Sequence, residues 1–113
     1  MSPKFNKVAR LSFIESEKRQ VLYAEQARHM GLDYSSWLRL GIKRFISRKA
    51  DYKLSASPED GTFMNPKAEM QDKVNWKQYA KNRDYSDFSQ FVRSASYWFY
   101  SQIKSQNEKV KGA

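Results

Sequence analysis

The stretch at residues 7–13 alternates apolar and polar side chains, as a β-strand with one buried face does. Its two faces hold Ala9, Leu11 and Phe13 on one side and Val8, Arg10 and Ser12 on the other. A strand needs a neighbour, because its N–H and C=O groups otherwise stay unpaired. No convincing partner strand follows in the same chain. We therefore expect this strand to pair with its own copy in a second chain.

Two helices are predicted directly after the strand. The first spans residues 16–29: Ser16 can cap it, Glu15 and Glu17 suit the positive end of its dipole, and Gly31 stops it. Asp33 is a favourable N-cap for the second helix, at residues 34–47. The predicted buried face of this second helix is Trp37, Leu38, Gly41, Ile42, Phe45 and Ile46.

The second half of the chain is predicted to be helical. A short strand is possible at residues 62–65, but Pro66 ends it or argues against it. Helices are predicted at 67–82 and 88–106, and the second of these is rich in aromatic residues. The predicted organisation is a flexible basic arm at 1–6, a first unit at 7–48, a polar linker at 49–61, a helical extension or degenerate second repeat at 62–106, and a tail at 107–113. The expected fold class is mostly α.

An internal repeat links the two predicted helix pairs. Residues 33–41 match residues 87–95 at an offset of 54, in the pattern Asp, aromatic, Ser, any, aromatic, aliphatic, Arg, any, small. This similarity favours a duplication of the helix pair. The strand does not repeat at that offset, because Met64 and Pro66 stand in the places of Arg10 and Ser12.

The net charge of +9 is concentrated in the first half of the chain. Residues 1–54 hold twelve Lys and Arg against five acids, a balance of +7, and the remainder holds nine against seven, a balance of +2. This distribution favours a polyanion partner for the first half, although solubilising surface charge is the plain alternative. The longest apolar run is too short to span a membrane, and we expect a soluble cytoplasmic protein, nucleoid-associated if bacterial.

The sequence does not predict an enzyme. There is no Cys and one His, His29, which lacks an obvious nucleophile or carboxylate partner nearby. A Gly-rich phosphate loop and a cluster with metal-ligand spacing are both missing from the sequence. We therefore expect no catalytic residues, no metal and no cofactor.

The first half resembles the ribbon–helix–helix family of DNA-binding proteins, the Arc, MetJ and CopG type. The similarity covers about residues 7–47, namely the strand at 10–13 and the helix, glycine turn and helix at 27–39 with Gly41 and Ile42. In that family two chains pair their strands, and the resulting ribbon enters the major groove of DNA. The resemblance therefore implies a homodimer, or a higher oligomer, with double-stranded DNA as its partner.

The resemblance also implies site residues. Base reading falls to Val8, Arg10 and Ser12, for which a merely solvated strand face is the alternative. Phosphate binding falls to the arm and to the start of the second helix, at Lys4, Lys7, Tyr34, Ser35 and Arg39. The core of the dimer is expected to hold Leu11, Phe13, Trp37, Leu38 and Ile42.

Several functions agree with these expectations. The first is sequence-specific transcriptional repression, and the second is an accessory DNA-binding role in plasmid mobilisation, in the relaxosome. A different class is an antitoxin-like or helical protein-interaction module, in which the aromatic C-terminal helix would bind a protein partner.

Overall fold

We describe a computed structural model of residues 7–54 and 57–112, which is mostly helical, as predicted. Its elements are β1 (Val8–Arg10), β2 (Phe13–Ser16), α1 (Glu17–His29), α2 (Tyr34–Ser47), β3 (Gly61–Met64), β4 (Lys67–Glu69), α3 (Met70–Asn82) and α4 (Phe88–Gly112). The predicted arm at residues 1–6, including Lys4, lies outside the described residues.

The helix boundaries follow local signals in the sequence. The side chain of Ser16 caps α1 by accepting the N–H of Arg19, and Asp33 caps α2, which spans the predicted residues. By contrast, α3 begins three residues later than predicted, because residues 67–69 are drawn into a strand. α4 continues to Gly112, beyond the predicted end at residue 106 and into the predicted tail.

The strands of the two halves form one antiparallel ribbon. β1 pairs with β4, which places Arg10 opposite Lys67, and β2 pairs with β3 in the same register. The two ladders are therefore pieces of one ribbon, interrupted at Pro66, which has no N–H to donate. The carbonyl oxygen of Pro66 still accepts the N–H of Leu11 at 2.8 Å.

The expectation that the first strand pairs with a second chain is wrong, because the same chain supplies its partner. At an offset of 54, Met64 and Pro66 correspond to Arg10 and Ser12, which would place them on the polar face of a second strand. For that reason the sequence did not predict a partner strand there. The ribbon turns them inward instead: Pro66 is buried and Met64, opposite Phe13, is half-buried. Pairing within a chain costs only loop closure, whereas pairing between chains also costs the freedom of a second molecule.

The second half repeats the order strand, helix, helix of the first half. The first helix of each half ends at a residue in the left-handed region, Gly31 with φ 74° and Asp84 with φ 62°. The next N–H in each case donates to the carbonyl five residues back, at 2.9 and 3.1 Å. These two turns are 53 residues apart, whereas the caps Asp33 and Asp87 are 54 apart. The turn before α4 is therefore one residue longer than the turn before α2.

Matching aromatic pairs join α2 to α4 across an approximate two-fold axis. The ring centroids of Trp37 and Phe99 lie 5.2 Å apart, and those of Phe45 and Phe91 lie 5.9 Å apart. Each residue of one pair is 54 positions from a residue of the other pair, so the two contacts are equivalent. The same axis passes through the centre of the ribbon, where the continuous register places Ser12 opposite Asn65.

The residues expected at the core of a dimer lie in the core of one chain. Each exposes 1% or less of its surface in the single chain; they are Leu11, Phe13, Trp37, Leu38 and Ile42. The prediction of their burial is correct, but the expectation that a second chain covers them is wrong. The second half of the same chain covers them, mainly through α4.

We predict that Gly41→Ala destabilises the protein by about 1–3 kcal/mol through overpacking. A Cβ atom at Gly41 would lie 2.7 Å from Cδ2 and 3.0 Å from Cβ of buried Phe99. An unhindered Gly→Ala change inside a helix instead stabilises by roughly 0.5–1 kcal/mol, so the expected sign is reversed. Urea denaturation measures the change.

The control for this prediction adds Gly41→Ala to a Phe99→Ala background, where Cγ and Cδ2 of residue 99 are absent and only its Cβ, at 3.0 Å, stays close to the new methyl group. There the substitution should cost clearly less than in the parent protein. Equal losses in the two backgrounds would contradict the steric explanation.

Candidate nucleic-acid interface

The outer side of the ribbon presents side chains from alternate positions of both strands. We call this surface the ribbon face: Val8, Arg10, Ser12, Ile14, Phe63, Asn65, Lys67 and Glu69. All of them are exposed except Ile14, which is half-buried, and Val8 and Phe63 keep 67% and 68% of their surface exposed. The three residues predicted to read bases lie on this face together.

Polar contacts connect the two strands on the ribbon face. Nη1 of Arg10 donates to the backbone carbonyl of Asn65 at 3.0 Å, and the hydroxyl of Ser12 donates to Oδ1 of Asn65 at 2.7 Å. Arg10 and Lys67 bring two cations to the face, and Glu69 brings one carboxylate. Lys7, which directly precedes β1, is also exposed. The face and its border are therefore positively charged on balance.

The N-terminal turns of α2 and α4 lie against the two outer edges of the ribbon. The hydroxyl of Ser35 accepts the backbone N–H of Lys67 at 3.1 Å, and that of Ser89 accepts the backbone N–H of Ile14 at 3.0 Å. Each serine is the second residue of its helix. Each flank of the ribbon face therefore lies beside the N-terminus of a helix, the positive end of the helix dipole.

An arginine one turn along each helix completes these edge contacts. Nη1 of Arg39 donates to the carbonyl of Lys67 at 2.7 Å, and Nη1 of Arg93 donates to the carbonyl of Ile14 at 3.3 Å. We call the pairs Ser35–Arg39 and Ser89–Arg93 the edge clamps, since each pair holds the N–H and the C=O of one strand residue. Arg39 thus positions the ribbon, and its predicted phosphate contact stays a prediction.

Aspartate caps stand at the entrances to both helices. Oδ1 of Asp33 accepts the N–H of Ser36 at 2.8 Å, and Oδ1 of Asp87 accepts the N–H of Gln90 at 2.8 Å. The hydrogen bond from the Ser36 amide lowers the pKa of Asp33, so its carboxylate is ionised at neutral pH. The backbone N–H groups of Tyr34 and Ser35, predicted to bind phosphate, belong to the first turn that this cap precedes.

A buried carboxylate supports the ribbon from behind. Glu15 is fully buried, and its Oε1 accepts the backbone N–H of Ser16 at 2.7 Å and Nε of Arg19 at 2.8 Å. Its Oε2 accepts the hydroxyl of Tyr23 at 3.1 Å. Burial, together with the nearby carboxylate, raises the pKa of Tyr23 above its ordinary value. Glu15 is therefore a structural anion joining β2 to α1.

A groove of about 580 Å³ lies between the C-terminal half of α1 and that of α4. Its lining includes His29, Glu25 and Lys104 beside apolar Leu22 and Ile103.

Among residues 7–54 and 57–112 there is no group of three or more His, Cys, Asp or Glu placed to hold a metal ion. None of the helices in this part of the chain is long and apolar enough to cross a membrane.

Five of the eight residues of the ribbon face lie outside the set predicted from the sequence. Phe63, Asn65 and Lys67 alternate with inward-facing residues in the same way as Arg10 and Ser12 do. A comparison at an offset of 53 would have aligned Ser12 with Asn65, whereas the offset of 54 taken from the helices shifts each strand residue to the wrong face. The repeated Ser and Arg of the edge clamps were visible in the motif, but their contact with the strand was not.

Comparison with protein-family models, curated proteins and solved structures found no match to this chain. The two halves of the chain can, however, be compared with each other. Strand pairing, helix caps, edge clamps and aromatic pairs each occur twice, in equivalent places.

We predict that Tyr23→Phe destabilises the protein at neutral pH and weakens its loss of stability in alkali. Removal of the hydroxyl deprives buried Glu15 of a donor, which costs about 1.5–3 kcal/mol. The raised pKa of folded Tyr23 gives stability that is complete below pH 10, the ordinary value, and declines as pH rises beyond it. The phenylalanine variant lacks this titration, so the two stability curves should converge above pH 10.

Urea denaturation of both proteins between pH 7 and pH 11 measures this convergence. The maximum contribution of one group is about 1.4 kcal/mol per pH unit. A separation between the two proteins that stays constant across this range would contradict the assigned role of the Tyr23 hydroxyl.

Proposed function

We propose that this chain binds double-stranded DNA sequence-specifically, with its ribbon face in the major groove, and acts as a transcriptional repressor. The observation that carries the proposal is the ribbon face, an exposed antiparallel pair of strands bearing Arg10, Ser12, Asn65 and Lys67. The major groove is about 12 Å wide and admits a two-stranded ribbon whose alternate side chains face the base edges. A protein seated there excludes others from the same groove, which is the physical basis of repression.

The side chains of the ribbon face suit base edges. A guanidinium group has five N–H donors, and the bond from Arg10 to the Asn65 carbonyl uses one, which leaves a pair for O6 and N7 of guanine. Ser12 can donate or accept, and the amide of Asn65 matches N6 and N7 of adenine. Exposed Val8 is suited to contact with a thymine methyl group.

Phosphate contacts are proposed for the two flanks of the ribbon. The first-turn N–H groups of α2, from Tyr34 and Ser35, lie at one edge, and those of Phe88 and Ser89 lie at the other. A ribbon in the groove would bring both helix starts close to the two DNA backbones, where the helix dipole favours phosphate. Lys7 adds an exposed cation beside β1.

We also propose that the chain carries two ribbon–helix–helix units in tandem. The repeated order of elements and the repeated edge clamps support this reading. One chain then supplies a complete ribbon. A homodimer or higher oligomer formed through another surface stays a prediction, as does a protein partner for α4, whose Phe91 and Phe99 are buried within the chain.

We predict that Arg10→Ala weakens binding to a selected duplex by about 1–3 kcal/mol and relaxes the preference at one base pair. Ser12→Ala should lower affinity by less. Fluorescence anisotropy against duplexes selected from random DNA measures both effects. The dependence of affinity on salt gives the number of phosphates contacted, at a slope of about 0.9 per phosphate.

The matched control is Arg28→Ala, which removes the same charge from the exposed C-terminal end of α1, away from the ribbon. This variant should keep the base preference. Unchanged binding of Arg10→Ala and Ser12→Ala to every selected duplex would refute the proposed interface.

A further inference from the structure

The two ends of the ribbon face differ in chemistry. Towards one end Arg10 lies opposite Lys67, so two flexible cations stand side by side, and Val8 lies opposite Glu69 beyond them. At the other end Ile14 lies opposite Phe63, whose ring is 68% exposed. Ile14 and Phe63 are neighbours across the two strands, so this end presents a contiguous apolar surface that suits contact with an apolar group of a ligand.

This polarity arises because the second strand carries its side chains in the reverse order. The first strand runs from basic Arg10 to apolar Ile14, and the second runs from apolar Phe63 to basic Lys67. Antiparallel pairing therefore places the two basic residues opposite each other and the two apolar residues opposite each other. A second copy of the first strand would instead place a basic residue opposite an apolar one at both ends, and the face would be symmetric.

The centre of the face separates these ends. Ser12 and Asn65 oppose each other there, joined by a 2.7 Å hydrogen bond. Alternate residues of a strand are about 6.6 Å apart, close to the rise of two base pairs at about 3.4 Å each. A ribbon lying along the groove would therefore have its basic and apolar pairs about four base pairs apart.

We propose that one chain recognises a non-palindromic duplex, in which guanines face Arg10 and Lys67 and thymines face Ile14 and Phe63. This inference rests on the proposed function and names the kind of site that the ribbon face takes. Arginine and lysine donate to O6 and N7 of guanine, and apolar side chains contact the C5 methyl group of thymine. A polar centre with Asn65 suits adenine between them.

Selection of duplexes from random DNA, followed by measurement of the mass of the complex, is the first test. The expected result is a non-palindromic consensus bound by one chain, with G·C and T·A positions about four base pairs apart. Failure to enrich any sequence would refute the proposed function and this inference with it. A palindromic consensus bound by two chains would overturn this inference and leave DNA binding intact.

Base analogues in the selected duplex then test each end separately. Uracil differs from thymine only in lacking the C5 methyl group. Replacing the thymine that contacts Phe63 by uracil should therefore weaken binding about fourfold, as expected for one methyl group. Replacement of guanine by 7-deazaguanine removes N7, and should weaken binding about 5- to 150-fold beneath Arg10 and Lys67.

Phe63→Ala links the methyl effect to its side chain. The variant should bind thymine and uracil duplexes equally, and Arg10→Ala should retain the distinction between them. Val74→Ala is the matched control, because Val74 is an exposed apolar residue on α3, 53% exposed and off the ribbon face. This control should behave as the parent protein does.

Two results would overturn the assignment of the ends. One is equal binding of thymine and uracil duplexes by the parent protein. The other is a discrimination that survives in Phe63→Ala at full size. Circular dichroism and urea denaturation of Phe63→Ala establish that it is folded when the affinities are compared.

Discussion

The antiparallel pairing of the strand around Arg10 with the strand around Lys67 is the contact on which the remaining structure depends. Each half alone would leave a strand with unpaired backbone groups and a helix pair too small to enclose a core. The pairing brings α2 against α4, where Trp37 meets Phe99. The connection between α2 and β3 spans residues 48–60, and closing a loop of this length costs little more than closing a shorter one. One chain therefore builds a ribbon and the support behind it.

The edge clamps connect this ribbon to the helices. Ser35 and Arg39 hold the backbone of Lys67, as Ser89 and Arg93 hold that of Ile14, so the outer edges of the ribbon have partners at these positions. A clamped edge is a poor template for adding another strand. It also fixes the helix N-termini relative to the ribbon face before any ligand arrives. Such preorganisation would lower the entropic cost of the proposed DNA binding.

The helices were predictable because their signals are local. Asp33 caps the start of α2, and Gly31 adopts the left-handed conformation that terminates α1. Both effects depend only on residues close in sequence. The second strand was not predictable in the same way. One extra residue in the turn before α4 raises the offset between the repeats from 53 in the strands to 54 in α2 and α4, and a shift of one residue exchanges the two faces of a strand. Pro66 also argued against a strand, yet it lies at the break between β3 and β4, where its missing N–H is tolerated. Cross-strand neighbours such as Ser12 and Asn65 depend on this register, so half of the candidate site stayed hidden.

The features shared by the two halves and the features that differ have separate physical roles. Aspartate caps, edge clamps and aromatic pairs occur in both halves, and all of them hold backbone or core in place. The ribbon face differs between the halves, with Arg10 and Phe63 at equivalent positions 53 residues apart. In a dimer of identical chains every surface residue appears twice, so a side chain suited to one end of a ligand must also fit the other. Joining the halves in one chain removes that constraint at the ribbon face alone, because the shared supports still hold both strands in one register. A single chain can thus combine a repeated framework with an exposed face whose two strands carry different side chains.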